Sequence, residues 1–184
     1  MLLLASTREG EEKLLLDALP DPAGRILVVV VPRHPQRFEE VSQLAQSRRS
    51  LQMMPAPGDR VHLGDTMGEM AFYYAACDAA VIGGSLAPLG GQNLIEALAA
   101  GAPVILGPYM FNFAEATRLA LEAGAAIQVS DAASAVAQAL QLIGDEPRRR
   151  KMAQSGKNLC EAHRGATEKH LAVCFRLLKG RERG

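Results

Sequence analysis

Gly83-Gly84-Ser85-Leu86-Ala87-Pro88-Leu89-Gly90-Gly91-Gln92-Asn93-Leu94-Ile95-Glu96-Ala97-Leu98-Ala99-Ala100-Gly101-Ala102-Pro103-Val104 reads as the end of a strand, a glycine loop, the start of a helix and the next strand. Four glycines let the backbone approach a ligand closely. The loop feeds a helix whose first N–H groups and positive dipole end favour a phosphate. Glu96, one turn into that helix, offers a carboxylate to two ribose hydroxyls. Asn93 followed three residues later by Glu96 also has capping-box spacing, which needs no ligand. On these residues alone both readings stand.

Outward from this stretch, short aliphatic segments alternate with amphipathic ones. Strands are predicted near Leu2–Ala5, Ile26–Val31, Val61–Leu63, Ala79–Ile82, Val104–Leu106 and Ala126–Val129. Helices are predicted at Glu9–Leu19, Gln36–Ser47, Glu69–Ala76, Leu94–Ala100, Phe113–Ala123 and Ala132–Ile143. Ser6 or Thr7, Asn93, Asn112 and Asp131 are the candidate N-caps, with Pro35 and Pro147 in first turns. This alternation predicts an α/β fold, a Rossmann-like doubly wound parallel sheet of six strands over residues 1–145. From 146 to 184 the pattern is helical, broken at Gly165 and ending near Lys179. Such sheets bind ligands outside the carboxyl ends of their strands. The candidate site loops are therefore Ser6–Glu9, Pro32–Pro35, Gly64–Glu69, Gly83–Asn93 and Gly107–Asn112.

Composition narrows the class. The 184 residues are 48% hydrophobic but only 4% aromatic, without Trp, which suits buried parallel strands under helices. Twenty basic residues balance twenty acidic ones, so the basic footprint of a nucleic-acid binder is missing. Cys77, Cys160 and Cys174 are odd in number and lack zinc-type spacing, which predicts three free thiols in a reducing compartment. The longest apolar run, Ile26–Val31, is far short of a membrane span, and Met1–Ala5 lacks the features of a signal peptide.

Pro32-Arg33-His34-Pro35 follows a hydrophobic strand, and its prolines stiffen a loop that projects Arg33 over the sheet edge. Arg33 there suits a carboxylate or phosphate; the alternative is a surface pair with Glu39 or Glu40. His34 either orients a substrate group or bonds to backbone. Gly64-Asp65-Thr66-Met67-Gly68-Glu69 exposes backbone groups to a flat base, or is an ordinary helix start capped by Asp65 or Thr66. Ser85 lacks the His and acidic partners of a nucleophile. No GxGxxG, GxxxxGK[ST] or HExxH occurs, and no metal-ligand cluster is evident. Arg148-Arg149-Arg150-Lys151, with Arg176, Lys179, Arg181 and Arg183, reads as a lipid-headgroup contact or as a solvated helix face. His163 and His170 read as surface residues.

The run Asn93 to Ile105 resembles the donor-nucleotide motif of GT-B glycosyltransferases, with Glu96 at the ribose-binding glutamate. More narrowly, Ala5 to Glu12, Pro32 to Phe38, Gly64 to Met70, Gly83 to Glu96 and Gly107 to Phe113 resemble, in order, the 3-deoxy-D-manno-octulosonic acid (Kdo) transferase family. The resemblance covers nearly all of this chain but only the C-terminal half of such an enzyme. It implies a GT-B C-terminal domain that binds CMP-Kdo, a substrate rather than a cofactor. The implied reaction is transfer to lipid IVA at the cytoplasmic face of the bacterial inner membrane, inverting and without metal. Arg33 would bind the anionic donor, with Ser6, Pro32 and His34 beside it. Thr66 and Met67 would lie against cytosine at Gly68, Ser85 would sit in the glycine loop, Gly91 and Asn93 would meet phosphate, and Glu96 the ribose. The general base belongs to the family's N-terminal domain, so the resemblance implies a fragment that is soluble, binds donor and does not turn over. It also allows peripheral membrane contact, and has the helices of 146–184 packing on this domain or toward the N-terminal one. Many relatives carry His-Asn-Pro-Leu-Glu-Pro where this chain has Gln92-Asn93-Leu94-Ile95-Glu96-Ala97, and His in place of Tyr109. Two alternatives are a GT-B-like UDP-sugar epimerase domain and a non-catalytic nucleotide-binding module.

Overall fold

A computed structural model describes residues 1–20, 26–165, 171 and 174–176. The chain forms β1 (Leu2–Thr7), α1 (Glu11–Asp17), β2 (Val28–Pro32), a 3-10 turn (Pro35–Arg37), α2 (Phe38–Ser42), β3 (Ser47–Arg48), a second 3-10 turn (Arg49–Leu51) and β4 (Val61–Leu63). It continues through α3 (Met70–Ala76), β5 (Ala79–Ile82), α4 (Ile95–Ala100), β6 (Val104–Leu106), a third 3-10 turn (Phe111–Phe113), α5 (Ala114–Glu122), β7 (Ala126–Gln128), α6 (Ala132–Gly144) and α7 (Glu146–Ala162). The expected helix end near Lys179, and His170, Arg181 and Arg183, lie outside the described residues.

The sheet is parallel throughout, in the order β3-β4-β2-β1-β5-β6-β7. Among the described residues it has seven strands, not six, because Ser47, expected as the end of a Gln36–Ser47 helix, forms β3 with Arg48 instead. The backbone N–H of Gln46 donates to Val61 O at 3.0 Å, and the Gln46 side-chain carbonyl takes the Val61 N–H at 2.8 Å. Pairing along β4 thus claims this segment, and α2 stops at Ser42.

Alternation along the central strands builds two cores. Leu3, Ala5, Val29 and Val31 face α3, α4 and α5 through Tyr74, Leu98 and Ala120. Leu2, Leu4, Val28 and Val30 face α1, α2 and α6 through Leu15, Val41 and Val136. Both faces being covered, Leu2–Ala5 of β1 and Val28–Val31 of β2 read as unbroken apolar runs. From α7, Met152 joins one core and Leu159 packs against the other, so this helix closes the side of the layer stack.

Helix starts follow local chemistry unevenly. Asp131 caps α6, its carboxylate accepting from Ser134 N at 2.7 Å, and Pro147 lies in the first turn of α7. Neither Ser6 nor Thr7 caps α1, which starts at Glu11 behind Gly10, and Asn112 caps nothing but reaches Leu89 O at 3.4 Å. The backbone N–H of Ser134 holds the Asp131 carboxyl below its ordinary pKa. Asp131→Ala is expected to lower the melting temperature by about 2–4 °C near neutrality. A carboxyl with a depressed folded pKa stabilises above the ordinary carboxylate range and loses that effect as pH falls through its folded value. Melting curves of the two proteins should therefore converge in acid, and a gap that widened there would contradict the cap.

Candidate functional site

The strands progress outward in both directions from the adjacent pair β1 and β5, so the loops leaving these two open a crevice at the sheet's carboxyl edge. Two buried glutamates build its floor. Glu11, 1% exposed, accepts three backbone N–H groups: Arg8 at 2.9 Å and Gly84 at 2.6 Å on Oε2, and Leu86 at 3.1 Å on Oε1. One carboxylate thereby ties the loop after β1 to the glycine loop after β5. Glu12, also 1% exposed, accepts from Thr7 Oγ1 at 2.6 Å and from Arg37 Nη1 and Nη2 at 2.6 and 3.0 Å. The bond to Glu12 is the main reason the Arg37 pKa is raised still further.

Ser6 stands at the β1 bulge with a φ of 56°. Pro32 is buried and Arg33 exposed, with His34 between these extremes. Arg33 Nε donates to Gln92 Oε1 at 3.1 Å, which joins the loop after β2 to the glycine loop. The alternative pairing with Glu39 or Glu40 is absent: Glu39 accepts from Arg48 and Glu40 from Arg37.

The Gly64–Glu69 loop is held from below by the segment after β3. Asp65 is buried and accepts from Ser50 N at 2.7 Å, from the Ser50 hydroxyl at 2.5 Å and from Arg48. Burial pushes its pKa up, but these bonds together outweigh burial and leave the carboxyl below its usual value. Thr66 donates to Glu69, whose carboxylate also takes Arg49 Nη2 at 2.8 Å and Nε at 3.1 Å. Those two donors, Thr66 first, lower the Glu69 pKa. Neither Asp65 nor Thr66 caps α3, which leaves Thr66, Met67 and Gly68 as a turn facing outward.

The glycine loop is shaped by the protein itself. Gly91, at a φ of 77°, gives its N–H to Gly84 O at 2.7 Å, and a Cβ there would lie 2.2 Å from Met110 Sδ. Ser85 is fully buried, donating to Ile82 O at 2.5 Å and accepting from Gly107 N at 2.9 Å. Its hydroxyl locks the loop and does not face the crevice. Asn93 Oδ1 takes the N–H of Ile95 at 2.9 Å while its amide donates to Glu96 Oε1 at 3.1 Å. This is a side-chain pair with one backbone bond, in place of the reciprocal capping box.

Ser6, Pro32, Arg33, Thr66, Met67 and Gly68 line one shallow depression of about 50 Å³. Gly91, Asn93 and Glu96 lie on the glycine-loop side, linked to it through Gln92. A larger cavity of about 590 Å³ lies against α3, mostly apolar around Met53, Met54, Phe72 and Tyr73, with Arg49 on its wall already paired to Glu69. The buried Glu11, Glu12 and Arg37 were not among the candidate residues; two adjacent glutamates directly behind Gly10 are their only trace in the sequence. In the basic run, Arg149 binds the carbonyls of Leu142 and Ile143 at the end of α6 and Arg150 pairs with Glu146, so both are engaged within the protein. His163 is exposed, as expected, its ring bonded to Leu159 O at 2.9 Å. Burial pushes the Cys77 thiol up to about 12. Among the described residues no group of three or more His, Cys, Asp or Glu gathers to hold a metal ion, and no helix is long and apolar enough to cross a membrane.

The family model for glycosyl transferases group 1 matches residues 45–159. The chain is 48% identical to a 3-deoxy-D-manno-octulosonic acid transferase of Bordetella pertussis, over 93% of the chain and 43% of that protein. It is 35% identical to that of Haemophilus influenzae, over 92% of the chain and 42% of that protein. The chain thus spans less than half the length of these curated relatives. The crystal structure of the C-terminal CMP-Kdo binding domain of WaaA from Acinetobacter baumannii superposes with a TM-score of 0.81 at 30% identity, covering 86% of this chain and 87% of that one.

Proposed function

The chain belongs to the glycosyl transferases group 1 family and, within it, to the 3-deoxy-D-manno-octulosonic acid transferases, and from that premise we propose that it is the donor-binding part of an enzyme transferring Kdo from CMP-Kdo to lipid IVA. The observation that carries this reading is the Arg33–Gln92 bond, which draws the Arg33 and Thr66–Gly68 depression and the Gly91–Glu96 segment into one crevice. With Nε engaged, Arg33 has both Nη groups to offer a carboxylate or phosphate. Thr66 and Met67 receive the cytosine, Gly91 and Asn93 the phosphate, and Glu96 the ribose hydroxyls. Ser6, Pro32 and His34 complete the wall beside Arg33. Ser85 serves the same site indirectly, by fixing the glycine loop.

A depression of about 50 Å³ falls well short of the roughly 300–1,000 Å³ that small-molecule sites enclose. In this reading the opposing wall, the lipid acceptor site and the general base come from a second, N-terminal domain. Residues 1–145 form the donor-binding unit, and those from 146 onward brace it or reach toward that domain. Transfer inverts the anomeric centre, needs no metal, and takes place at the cytoplasmic face of the inner membrane.

Calorimetric titration with CMP, using UMP as competitor, tests the donor. CMP is expected to bind in preference to UMP, and Glu96→Ala and Arg33→Ala each to weaken it about tenfold. Preference for UMP would favour a UDP-sugar enzyme instead, and binding of neither would count against a donor site in this chain alone.

A further inference from the structure

A buried polar atom under the Gly64–Glu69 loop has no partner. Tyr73, on α3, is 3% exposed, yet its Oη makes no hydrogen bond, whereas buried hydroxyls in folded proteins nearly always find one. The tip of its ring lies under the loop that follows β4. A Cβ added to Gly64 would sit 2.9 Å from both Cζ and Oη and 2.9 Å from Val31 Cγ2, so only glycine there lets the ring reach beneath the loop. Burial raises the Tyr73 pKa and the neighbouring Thr66 hydroxyl lowers it, so the two hydroxyls already lie side by side although Oη meets no partner in hydrogen-bonding geometry.

Thr66 is the complementary half. It gives its proton to Glu69, which Arg49 grips on both oxygens. A hydroxyl that has donated its proton keeps lone pairs. Thr66 is therefore an acceptor with room for a donor, and Tyr73 a donor without an acceptor. A small settling of the loop completes a chain running from Tyr73 through Thr66 and Glu69 to Arg49.

We propose that Tyr73 is a positioning residue for the nucleotide loop, its hydroxyl bonding to Thr66 when a nucleobase rests on Thr66, Met67 and Gly68. The inference rests on the donor-site reading above. A bond made only in the bound state adds its free energy to affinity and none to the stability of the free protein. That asymmetry separates positioning from a plain structural role.

Tyr73→Phe is the test, with thermal melting in the absence of ligand and CMP titration of both proteins. The variant is expected to melt at or above the wild-type temperature, because an unpartnered buried hydroxyl has been removed, and to bind CMP about fivefold more weakly. Melting several degrees lower without ligand would mean the hydroxyl is already bonded in the free protein, and would overturn the inference. Unchanged CMP affinity, with wild type binding normally, would overturn it while leaving the donor site intact. Failure of the wild type itself to bind CMP would overturn the donor reading, and this inference with it.

Discussion

Glu12→Ala is expected to destabilise the chain by about 3–5 kcal/mol, the usual cost of leaving one member of a buried ion pair behind. The Glu12 side chain is 2% exposed and that of Arg37 7%, so the guanidinium cannot turn to water in place of its lost partner. Arg37 Nε already lacks a hydrogen-bond partner. Without Glu12, Nη1 joins it and Nη2 keeps only Glu40 at 3.1 Å. Thr7 Oγ1 loses its acceptor in the same step. Against a typical domain stability of about 5–15 kcal/mol, this is a large share of the total, and a protein starting at the bottom of that range would be left mostly unfolded. Urea denaturation followed by circular dichroism should show the midpoint falling with little change in slope. Glu12→Leu combined with Arg37→Met should recover most of the loss, since an apolar pair replaces both charges. A cost under about 1 kcal/mol for the single variant would mean that Arg37 is solvated after all.

The contrast between those two residues and the strands explains what was legible in the sequence. Leu2–Ala5 and Ile26–Val31 announce themselves because a parallel strand buried on both faces must be apolar at every position. Ser47 and Arg48 carry no such pattern. Their strand exists because Gln46 pairs with Val61 across the sheet, a tertiary contact that local propensity does not encode. Gly10, not Ser6 or Thr7, begins α1 because the bulge at Ser6 turns Thr7 inward to Glu12.

For the candidate site, the loops were legible and the orientation of side chains within them was not. Strand ends locate the loops, and the switch in strand order between β1 and β5 brings them together. The partner of Arg33 lies 59 residues away, at Gln92, whereas a local reading offers only Glu39 and Glu40. Ser85 has a polar side chain in a glycine loop and still points inward, because the crossing of the loops after β5 and β6 needs a hydroxyl to bond Ile82 O and Gly107 N. Glu11 and Glu12 look like the exposed first turn of a helix. The close approach of α1 to the glycine loop makes Glu11 internal, and Thr7 with Arg37 encloses Glu12.

Glu11→Ala should couple stability to ligand affinity more directly than any other substitution in the chain. The Glu11 carboxylate is an internal anion at the first position of α1, where the helix dipole favours it, and it holds the N–H groups of Arg8, Gly84 and Leu86. Deleting it leaves three backbone donors without an acceptor, each costing about 1–3 kcal/mol if it stays dry. Partial relaxation and entry of water reduce the sum, so a net loss of about 3 kcal/mol is expected in urea unfolding. The variant that remains folded should bind CMP at least about tenfold more weakly, because the glycine loop that carries Gln92 and Asn93 has lost its anchor. Glu11→Gln separates geometry from charge. Its one carbonyl oxygen can still serve Arg8 and Gly84, but its amide meets the N–H of Leu86 donor to donor, so stability and affinity should fall between wild type and alanine. Were alanine to bind CMP as tightly as wild type, the loop would hold its shape without Glu11, and the donor site would owe nothing to this buried carboxylate.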